Sequence, residues 1–145
     1  MLSIDINSDL GESYGPWTMG ADAEMMRFIS SANIACGGHA SDPETMYRTL
    51  VMAREAGVVA GAHPGYPDIL GFGRRKLPCT PDEATRFSTA QIGSLMAMAA
   101  LAGTTVRYVK PHGALNNVAA EDAALAEALV KGIRAHGGLP RPCTA

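Results

Sequence analysis

Features that would place this chain in several common protein classes are absent from its sequence. The three cysteines, Cys36, Cys79 and Cys143, form no Cys-x-x-Cys pair. An odd number of scattered thiols fits a reducing compartment better than a disulfide-stabilised domain. No apolar run approaches the ~18 residues of a membrane span, and the N-terminus lacks the basic and apolar regions of a signal peptide. We therefore expect a cytoplasmic protein without a membrane partner.

An excess of charge of one sign is also missing. The 145 residues include 12 Lys and Arg and 14 Asp and Glu, which gives a net charge of −2 with the signs interspersed. Without a basic stripe, nucleic acid is not an expected partner. Apolar residues make up 47% of the chain and charged residues 18%, a balance that is typical of one globular domain with a sizeable core.

Sequence signatures of nucleotide binding and of nucleophilic catalysis are absent too. The segment 71–73 (GFG) lacks the third glycine and the strand–turn–helix context of a dinucleotide fingerprint. There is no Walker A sequence and no Gly-x-Ser-x-Gly elbow. Cys36 lies too deep in an apolar strand to be the expected nucleophile.

A strand–loop–helix unit is present and occurs four times. Its clearest copy begins with a small, apolar strand at 31–36 and continues through a loop with two glycines and His39. The unit ends at a helix start, where Asp42 is the expected N-cap and Pro43 the first helical residue. Gly57 is well placed to end that helix.

The other strands are expected at residues 3–8, 58–62 and 104–109. A short helix is expected from about Asp22, and a longer one from the Thr80 capping box to Gly103. A last helix carries the apolar positions around 125–133. This alternation argues for an α/β fold with a parallel sheet and helical crossovers.

The last seven residues, 139–145, break the pattern. A fifth strand is due there, but Pro140 and Pro142 do not fit a central strand. We expect residues 1–145 to be a single α/β domain, the N-terminal part of a longer (β/α) barrel of ~250 residues, truncated to about four units and ending in an atypical tail. A complete four-stranded domain with a loose tail is the alternative, although its last strand would be an uncovered edge.

The loops that follow the strands carry most of the titratable candidates. In parallel α/β folds, active sites gather at the carboxyl ends of the strands. Three of the four histidines lie in these loops, whereas His136 lies at a helix end on the opposite side. The candidate catalytic residues are Asp9, Glu12, His39, His63, Lys110 and His112.

This set of residues is compatible with two kinds of chemistry. Carboxylates and imidazoles can hold a divalent metal that activates water, with Asp9, His39 and His63 as the candidate ligands. They can also act as general acid and base without a metal. Each residue alone has a structural alternative: Asp9 could brace its turn, and His39 could donate to a loop carbonyl.

Four further residues are candidates for binding substrate or phosphate. Arg74 and Arg75 lie in a glycine-rich loop and could hold a carboxylate or phosphate by bidentate contacts. A surface pair that fixes the loop is the equal alternative. Asn7 and Asn33 lie in expected strands, where they could face the substrate or only satisfy local hydrogen bonds. Lys110 adds a positive charge that could stabilise an oxyanion.

Five segments resemble the LamB/YcsF family, the A subunits of 5-oxoprolinase, in order and with matching intervals. They are residues 7–12 (NSDLGE), 32–37 (ANIACG), 61–68 (GAHPGYPD), 71–75 (GFGRR) and 109–115 (VKPHGAL). The match extends to about Ile133. The sequence departs from the family at Gly38, where Phe is usual, at Ser41, where Gly is usual, and at Asn116, where Tyr is usual.

The resemblance implies a barrel related to the glycoside hydrolase/deacetylase type. It implies ATP-dependent opening of the 5-oxoproline lactam to L-glutamate, with partner subunits B and C. Lys110, Arg74 and Arg75 would hold anions, and the carboxylates and histidines would activate water or bind metal. A metal-dependent deacetylase or amidohydrolase, and an inactive fragment that only binds partner subunits, are the competing hypotheses.

Overall fold

The computed structural model describes residues 4–137, so the segment 139–145 that we expected to be an atypical tail lies outside the described residues. Four strands form one parallel sheet in the order β1-β2-β3-β4. The expected α/β fold with a parallel sheet is confirmed. The elements in chain order are β1 (Asn7–Leu10), α1 (Asp22–Met25), β2 (Ser31–Ala35), α2 (Pro43–Ala56), β3 (Val59–His63), α3 (Pro81–Leu101), β4 (Val106–Val109), α4 (Gly113–Glu121) and α5 (Ala123–Arg134).

One face of the sheet packs against α2 and α3 and forms the main hydrophobic core. Ile34 of β2, Leu50 of α2 and Ile92 and Leu95 of α3 have no exposed surface there. Burial of such side chains contributes about 1.5–3 kcal/mol each, before the cost of ordering them. Packing in this core fixes the position of each strand along its axis, and therefore the place where the carboxyl ends of the strands come together.

The opposite face of the sheet carries polar side chains. Strand pairing places Asp9, Asn33, Gly61 and Tyr108 in one row across the four strands. Because side chains alternate between the two faces of a strand, this row points away from α2 and α3. The row leads directly to the loops in which the candidate catalytic residues lie.

The helix ends follow the capping chemistry that the sequence predicts. Asp42 accepts a hydrogen bond from the Thr45 backbone N–H at 3.0 Å, and Gly57 ends α2 with φ 69°. Thr80 and Glu83 form the expected capping box at the start of α3. Local hydrogen bonds determine these boundaries, so they could be found from the sequence alone.

Two predicted elements were wrong in their extent. The first strand begins at Asn7, because its register is set by pairing with β2 from Asn7 and Ser31 onward. Ile4 and Ile6, which suggested an earlier strand, are 84% and 53% exposed. The single helix expected around 125–133 is preceded by a separate helix, α4, that the sequence analysis missed.

Asp122 separates those two helices. Its carboxylate accepts hydrogen bonds from the backbone N–H groups of Ala124 and Leu125 at 3.0 and 3.2 Å. It therefore acts as the N-cap of α5 and ends α4 one residue earlier.

Two strand boundaries also differ from the prediction: β3 is shifted by one residue and includes His63, and β4 begins only at Val106. Within residues 4–137, none of the helices combines the length and the apolar character that crossing a membrane requires.

Candidate functional site

Three imidazole rings come together at the carboxyl ends of the strands. His39 follows β2, His63 is the last residue of β3, and His112 lies at the N-cap position of α4 just after β4. The rings of His39 and His112 are stacked with their centroids 3.6 Å apart, and His63 lies edge-on to both. All three residues are at most 3% exposed. Residues far apart in the sequence thus form one compact group.

Two main-chain carbonyls fix the orientation of two of these rings. The Nδ1–H group of His63 donates to the Lys110 carbonyl at 2.6 Å, and the Nε2–H group of His112 donates to the Phe72 carbonyl at 2.9 Å. A carbonyl oxygen only accepts, so each of these ring nitrogens carries a proton. The Phe72 ring also packs edge-on against His39 and His112, with centroids 5.4 and 5.2 Å away.

Each of the two candidate carboxylates contacts a different part of this group. Glu12 Oε1 lies 3.0 Å from His39 Nε2 and 3.7 Å from His112 Nδ1. Asp9 Oδ2 lies 3.3 Å from His63 Nε2, and Asp9 Oδ1 accepts a hydrogen bond from Lys110 Nζ at 2.7 Å. The six candidate catalytic residues therefore form one connected network.

Residues of the polar row across the sheet hold the Asp9 side chain in place through hydrogen bonds. Asn33 donates from Nδ2 to Asp9 Oδ1 and to Asn7 Oδ1, both at 2.8 Å, and accepts from the Tyr108 hydroxyl at 2.7 Å. Asn33 has no exposed surface. Both asparagines proposed as binding residues therefore contact this network, and Asn33 is a buried brace for Asp9.

Burial and neighbouring charges set the protonation of the site. Burial lowers the pKa of His39, although the Glu12 carboxylate opposes this, and burial together with the nearby His39 lowers the pKa of His112 to about 4. Burial by itself would raise the pKa of Asp9, but hydrogen bonds and charge from His63, Lys110 and Asn33 hold it far below its usual range. At neutral pH, Asp9 is therefore charged, and the stacked rings of His39 and His112 are neutral.

The two arginines of the 71–75 loop lie outside this network. Arg75 forms an ion pair with Asp68 of the same loop, and its side chain is 62% exposed. The guanidinium carbon of exposed Arg74 lies 5.6 Å from the centroid of the Phe72 ring. Arg75 thus has the loop-fixing contact that was the alternative to anion binding, and Arg74 touches the site only through Phe72.

An apolar cavity of about 460 Å³ opens beside Glu12 and His39. Its walls come from the 14–19 loop, in which Tyr14 and Trp17 pair through their backbones, and from Ile69, Leu70 and Phe72. Glu12 and His39 are the members of the network that line this cavity.

Three residues that support the site were missed by the sequence analysis: Tyr108, Phe72 and Gln91. The buried Gln91 side chain accepts from the Gly65 N–H at 3.0 Å and donates to the Gly65 carbonyl at 2.9 Å, which fixes the segment after His63. A Cβ at Gly38 would lie 2.3 Å from Gln91 Oε1. Gln91 in this position therefore leaves no room for a side chain at position 38.

The Cys36 thiol and the His136 imidazole lie outside the network of candidate catalytic side chains, although Cys36 Sγ accepts a hydrogen bond from the His63 backbone N–H at 3.2 Å. Burial raises the pKa of the Cys36 thiol to about 12, which agrees with its exclusion as a nucleophile. His136 Nε2 lies 3.0 Å from the Thr89 carbonyl, on the helical side of the sheet. The sequence analysis also separated His136 from the other three histidines.

A possible metal-binding group is present in the same network. Glu12, His39, His63 and His112 each offer one ligand atom, and these four atoms lie within 4.8 Å of one another. We call these four residues the histidine cluster. It shares His39 and His63 with the metal set predicted from the sequence, and has Glu12 and His112 where that set had Asp9.

Comparison with known proteins identifies relatives of the whole described region. The sequence model of the LamB/YcsF family matches residues 4–140. The chain is 58% identical over 135 residues to an A subunit of 5-oxoprolinase from Agrobacterium fabrum, covering 93% of this chain and 53% of that protein. It is 52% identical over 132 residues to the A subunit of 5-oxoprolinase from Pyrococcus abyssi, covering 91% and 52%. The chain thus spans about half the length of the curated relatives it matches.

A crystal structure has the same fold. It is that of a lactam utilization protein from Thermus thermophilus, which superposes with a TM-score of 0.94 at 41% sequence identity. The match covers 96% of this chain and 57% of that one. The parallel arrangement of four strands and their helices is therefore shared with a protein whose name refers to lactams.

Proposed function

The chain belongs to the LamB/YcsF family, and on this premise we propose that it forms part of an ATP-dependent 5-oxoprolinase that hydrolyses the lactam of 5-oxoproline to L-glutamate. The names of the relatives and of the Thermus thermophilus protein support this assignment. The observation that carries it is the joining of two carboxylates, three imidazoles and one ammonium group into a single network beside an open cavity.

The proposed reaction needs ATP because a five-membered lactam is a poor electrophile. Transfer of the γ-phosphoryl group of ATP to the amide oxygen releases ADP and makes the ring carbon more open to attack. Water then adds to that carbon and the carbon–nitrogen bond of the ring breaks, which leaves an acyl phosphate of glutamate. A second water hydrolyses the acyl phosphate, so the products are L-glutamate, ADP and inorganic phosphate.

The contacts in the network suggest a role for each of its side chains. Asp9 remains ionised and is held by Lys110 and Asn33, so it is suited to orient the attacking water rather than to deprotonate it, since a lowered pKa makes a carboxylate a weak base. The Lys110 ammonium group, 37% exposed, is suited to stabilise the oxyanion or phosphate that develops on the substrate. Glu12 and His39, at the floor of the cavity, are suited to orient the lactam or to assist the proton transfer.

The same proposal includes partners and a larger fold. We propose that subunits B and C complete the enzyme and take part in the use of ATP, and that the complex is cytoplasmic. We also propose that residues 4–137 are the N-terminal part of a longer (β/α) barrel of the glycoside hydrolase/deacetylase type. In that barrel the polar face of the sheet, with Asn7, Asn33 and Tyr108, would face the interior.

The direct test is a reconstitution with the 145-residue chain. The chain is mixed with subunits B and C from Agrobacterium fabrum, and glutamate and ADP are measured with 5-oxoproline and ATP present. The expected result is release of both products in equal amounts, which stops when either substrate is omitted. Absence of turnover with this chain, while its full-length Agrobacterium fabrum relative is active in the same mixture, would support the inactive fragment instead.

A second candidate function is metal-dependent amide hydrolysis, as in a deacetylase or amidohydrolase. The histidine cluster favours it, because imidazole and carboxylate are ligands of metals that activate water. The two functions differ in their need for ATP. Amide hydrolysis that proceeds without ATP and stops after treatment with a chelator would select the second.

A further inference from the structure

We propose that the histidine cluster is a binding site for one divalent transition-metal ion of the zinc type, with Glu12, His39, His63 and His112 as its ligands. This inference deepens the proposed function and rests on it only for the part that the cation plays in hydrolysis. The ligand set differs from the one that the sequence predicts, because Asp9 is engaged by Lys110 and Asn33 instead.

The first argument is the direction of two lone pairs. His63 Nδ1 and His112 Nε2 both donate to main-chain carbonyls. The two remaining nitrogens, His63 Nε2 and His112 Nδ1, face each other at 3.0 Å, and the Asp9 carboxylate lies 3.3 Å from the first of them. Two lone pairs at this distance repel each other, so a positive charge belongs between them: a proton on His63 Nε2 in the metal-free cluster, or a bound cation in its place.

The second argument is that the surrounding groups are also acceptors. The Glu12 carboxylate is 3.7 Å from His112 Nδ1, and the Asp9 carboxylate is 3.3 Å from His63 Nε2. A bound cation would satisfy the two nitrogens and the Glu12 carboxylate together. Metal-binding histidines typically donate their other N–H to a carbonyl or carboxylate, which is the arrangement that Lys110 and Phe72 provide here.

The third argument concerns His39. Its Nδ1 is buried and has no hydrogen-bond partner within residues 4–137. In the metal-free cluster His39 Nε2 donates to Glu12 Oε1 at 3.0 Å. Because no protein group holds Nδ1, the proton can move there when a cation binds, which makes the Nε2 lone pair a ligand beside Glu12. His39 is stacked parallel to His112, so their in-plane lone pairs do not converge, and ligation by both rings requires one of them to rotate out of the stack.

Glycines allow the backbone to hold the rings in this place. A Cβ at Gly73 would lie 2.7 Å from the His39 Cβ and 3.0 Å from the His112 Cδ2, and a Cβ at Gly65 would lie 2.7 Å from His39 Nδ1. Either side chain would push the rings apart. The backbone at both positions thus forms a close cradle for the donor groups.

The chemistry of the donors selects the class of metal. Three imidazole nitrogens and one carboxylate oxygen suit zinc, cobalt and related ions, whereas magnesium and calcium prefer oxygen ligands. Tetrahedral zinc ligands lie about 3.4 Å apart, and the four ligand atoms of the cluster lie between 3.0 and 4.8 Å from one another, so the more distant ones must move inward when an ion binds. When bound, such an ion supplies a Lewis acid that makes water more acidic and polarises a carbonyl.

The test is titration of the metal-free 145-residue chain with Co²⁺, followed through its visible absorption and checked by displacement with Zn²⁺. The expected result is saturation at one equivalent. The variants Glu12→Gln and His112→Asn should each weaken binding by more than about 100-fold, which exceeds the usual effect of losing an outer partner. Glu12 lies in a loop, and His112→Asn places a favoured N-cap residue at the start of α4, so both variants should retain the fold, which circular dichroism checks.

Two variants serve as controls. His136→Asn removes the histidine outside the cluster and should bind Co²⁺ as the parent chain does. Asp9→Asn should also bind Co²⁺. If Asp9→Asn instead loses Co²⁺ binding while Glu12→Gln retains it, the ligand set is wrong and the set Asp9, His39 and His63 replaces it. Absence of saturable binding to the folded chain would overturn the metal site and leave a shared proton between His63 and His112 as the occupant.

The outcome of the Co²⁺ titration can be distinguished from the outcome of the test of the proposed function. Stoichiometric Co²⁺ binding that depends on Glu12 and His112 supports the site even if no 5-oxoproline is turned over. Full 5-oxoprolinase activity of the metal-free protein would overturn the part of the cation in hydrolysis and leave the proposed function intact.

Discussion

The ring of Tyr108 lies directly over Gly61. A Cβ at Gly61 would be 2.2 Å from the Cζ atom of Tyr108, so the ring occupies the space that any other residue in β3 would fill. Across this gap, the Tyr108 hydroxyl reaches Asn33 of β2. The absence of a side chain in one strand thus allows a residue of β4 to support the asparagine that holds Asp9.

Replacement of Gly61 by alanine should therefore disturb both stability and the site. We expect Gly61→Ala to cost about 1–3 kcal/mol of the free energy of unfolding, because the Tyr108 ring must move. Urea denaturation of Gly61→Ala, Tyr108→Ala and the double variant forms a double-mutant cycle. The cost of Gly61→Ala should nearly vanish when Tyr108 is absent. An equal cost in both backgrounds would show that the ring is not the obstacle.

Removal of the Asp9 charge should affect turnover much more than stability. If Asp9 orients the attacking water and holds Lys110 in place, Asp9→Asn should lower glutamate release in the reconstituted system by about 100-fold or more. Asp5→Asn is the matched control, because Asp5 precedes the same strand but binds only Ser30 and Ser31 near its amino end. Similar losses in the two variants would argue against a catalytic role for Asp9.

The carboxylate of Asp42 should make part of the stability depend on pH. Burial alone would raise its pKa, but hydrogen bonds from Thr45 and from the Gly15 backbone N–H lower it. A lowered pKa in the folded state means that the stabilisation is complete above the unfolded value of about 4 and is lost as the pH falls below it. Asp42→Asn keeps the N-cap but does not titrate.

The free energy of unfolding should accordingly fall more steeply between about pH 5 and pH 2 in the parent chain than in Asp42→Asn. Urea titrations at several pH values measure the difference between the two proteins, which removes the contribution of all other carboxylates. Parallel curves would show that Asp42 has the same pKa in the folded and unfolded chains.

Glycine at position 41 should stabilise the protein. Ser41 has φ 77°, a left-handed conformation that is costly for a residue with a Cβ. We expect Ser41→Gly to raise the free energy of unfolding by about 1 kcal/mol, reduced in part by the greater entropy of glycine in the unfolded chain. Thermal unfolding of Ser41→Ala, which keeps the Cβ, is the control and should show no such gain.

Local chemistry explains which parts of the fold could be predicted. The boundaries of α2 and α3 follow from Asp42, Gly57 and Thr80, whose hydrogen bonds or positive φ involve only nearby residues. The start of β1 depends on its pairing with β2, so the alternation of Ile4 and Ile6 could not place it. Helix α4 was missed because it is short and is ended by the cap of the helix that follows it.

The site was predictable to the extent that it follows the strand ends. His39, His63 and His112 could be brought together on topology alone, because parallel strands end at one edge. The contribution of Tyr108 depends on the space above Gly61, and that of Gln91 on the approach of α3 to Gly65. Both arise from packing between elements, and a tyrosine in a strand carries no local signal of such a contact.

The carbonyls of Phe72 and Lys110 that orient the two imidazoles belong to the main chain. Every amino acid has this group, so an alanine scan or a comparison of homologues at these positions would leave the donor–acceptor pairs untouched and would not detect them. The orientation of the two imidazole rings is therefore determined by the conformation of the backbone. Only an exchange of backbone chemistry, such as a thioamide introduced by semisynthesis, would address it directly.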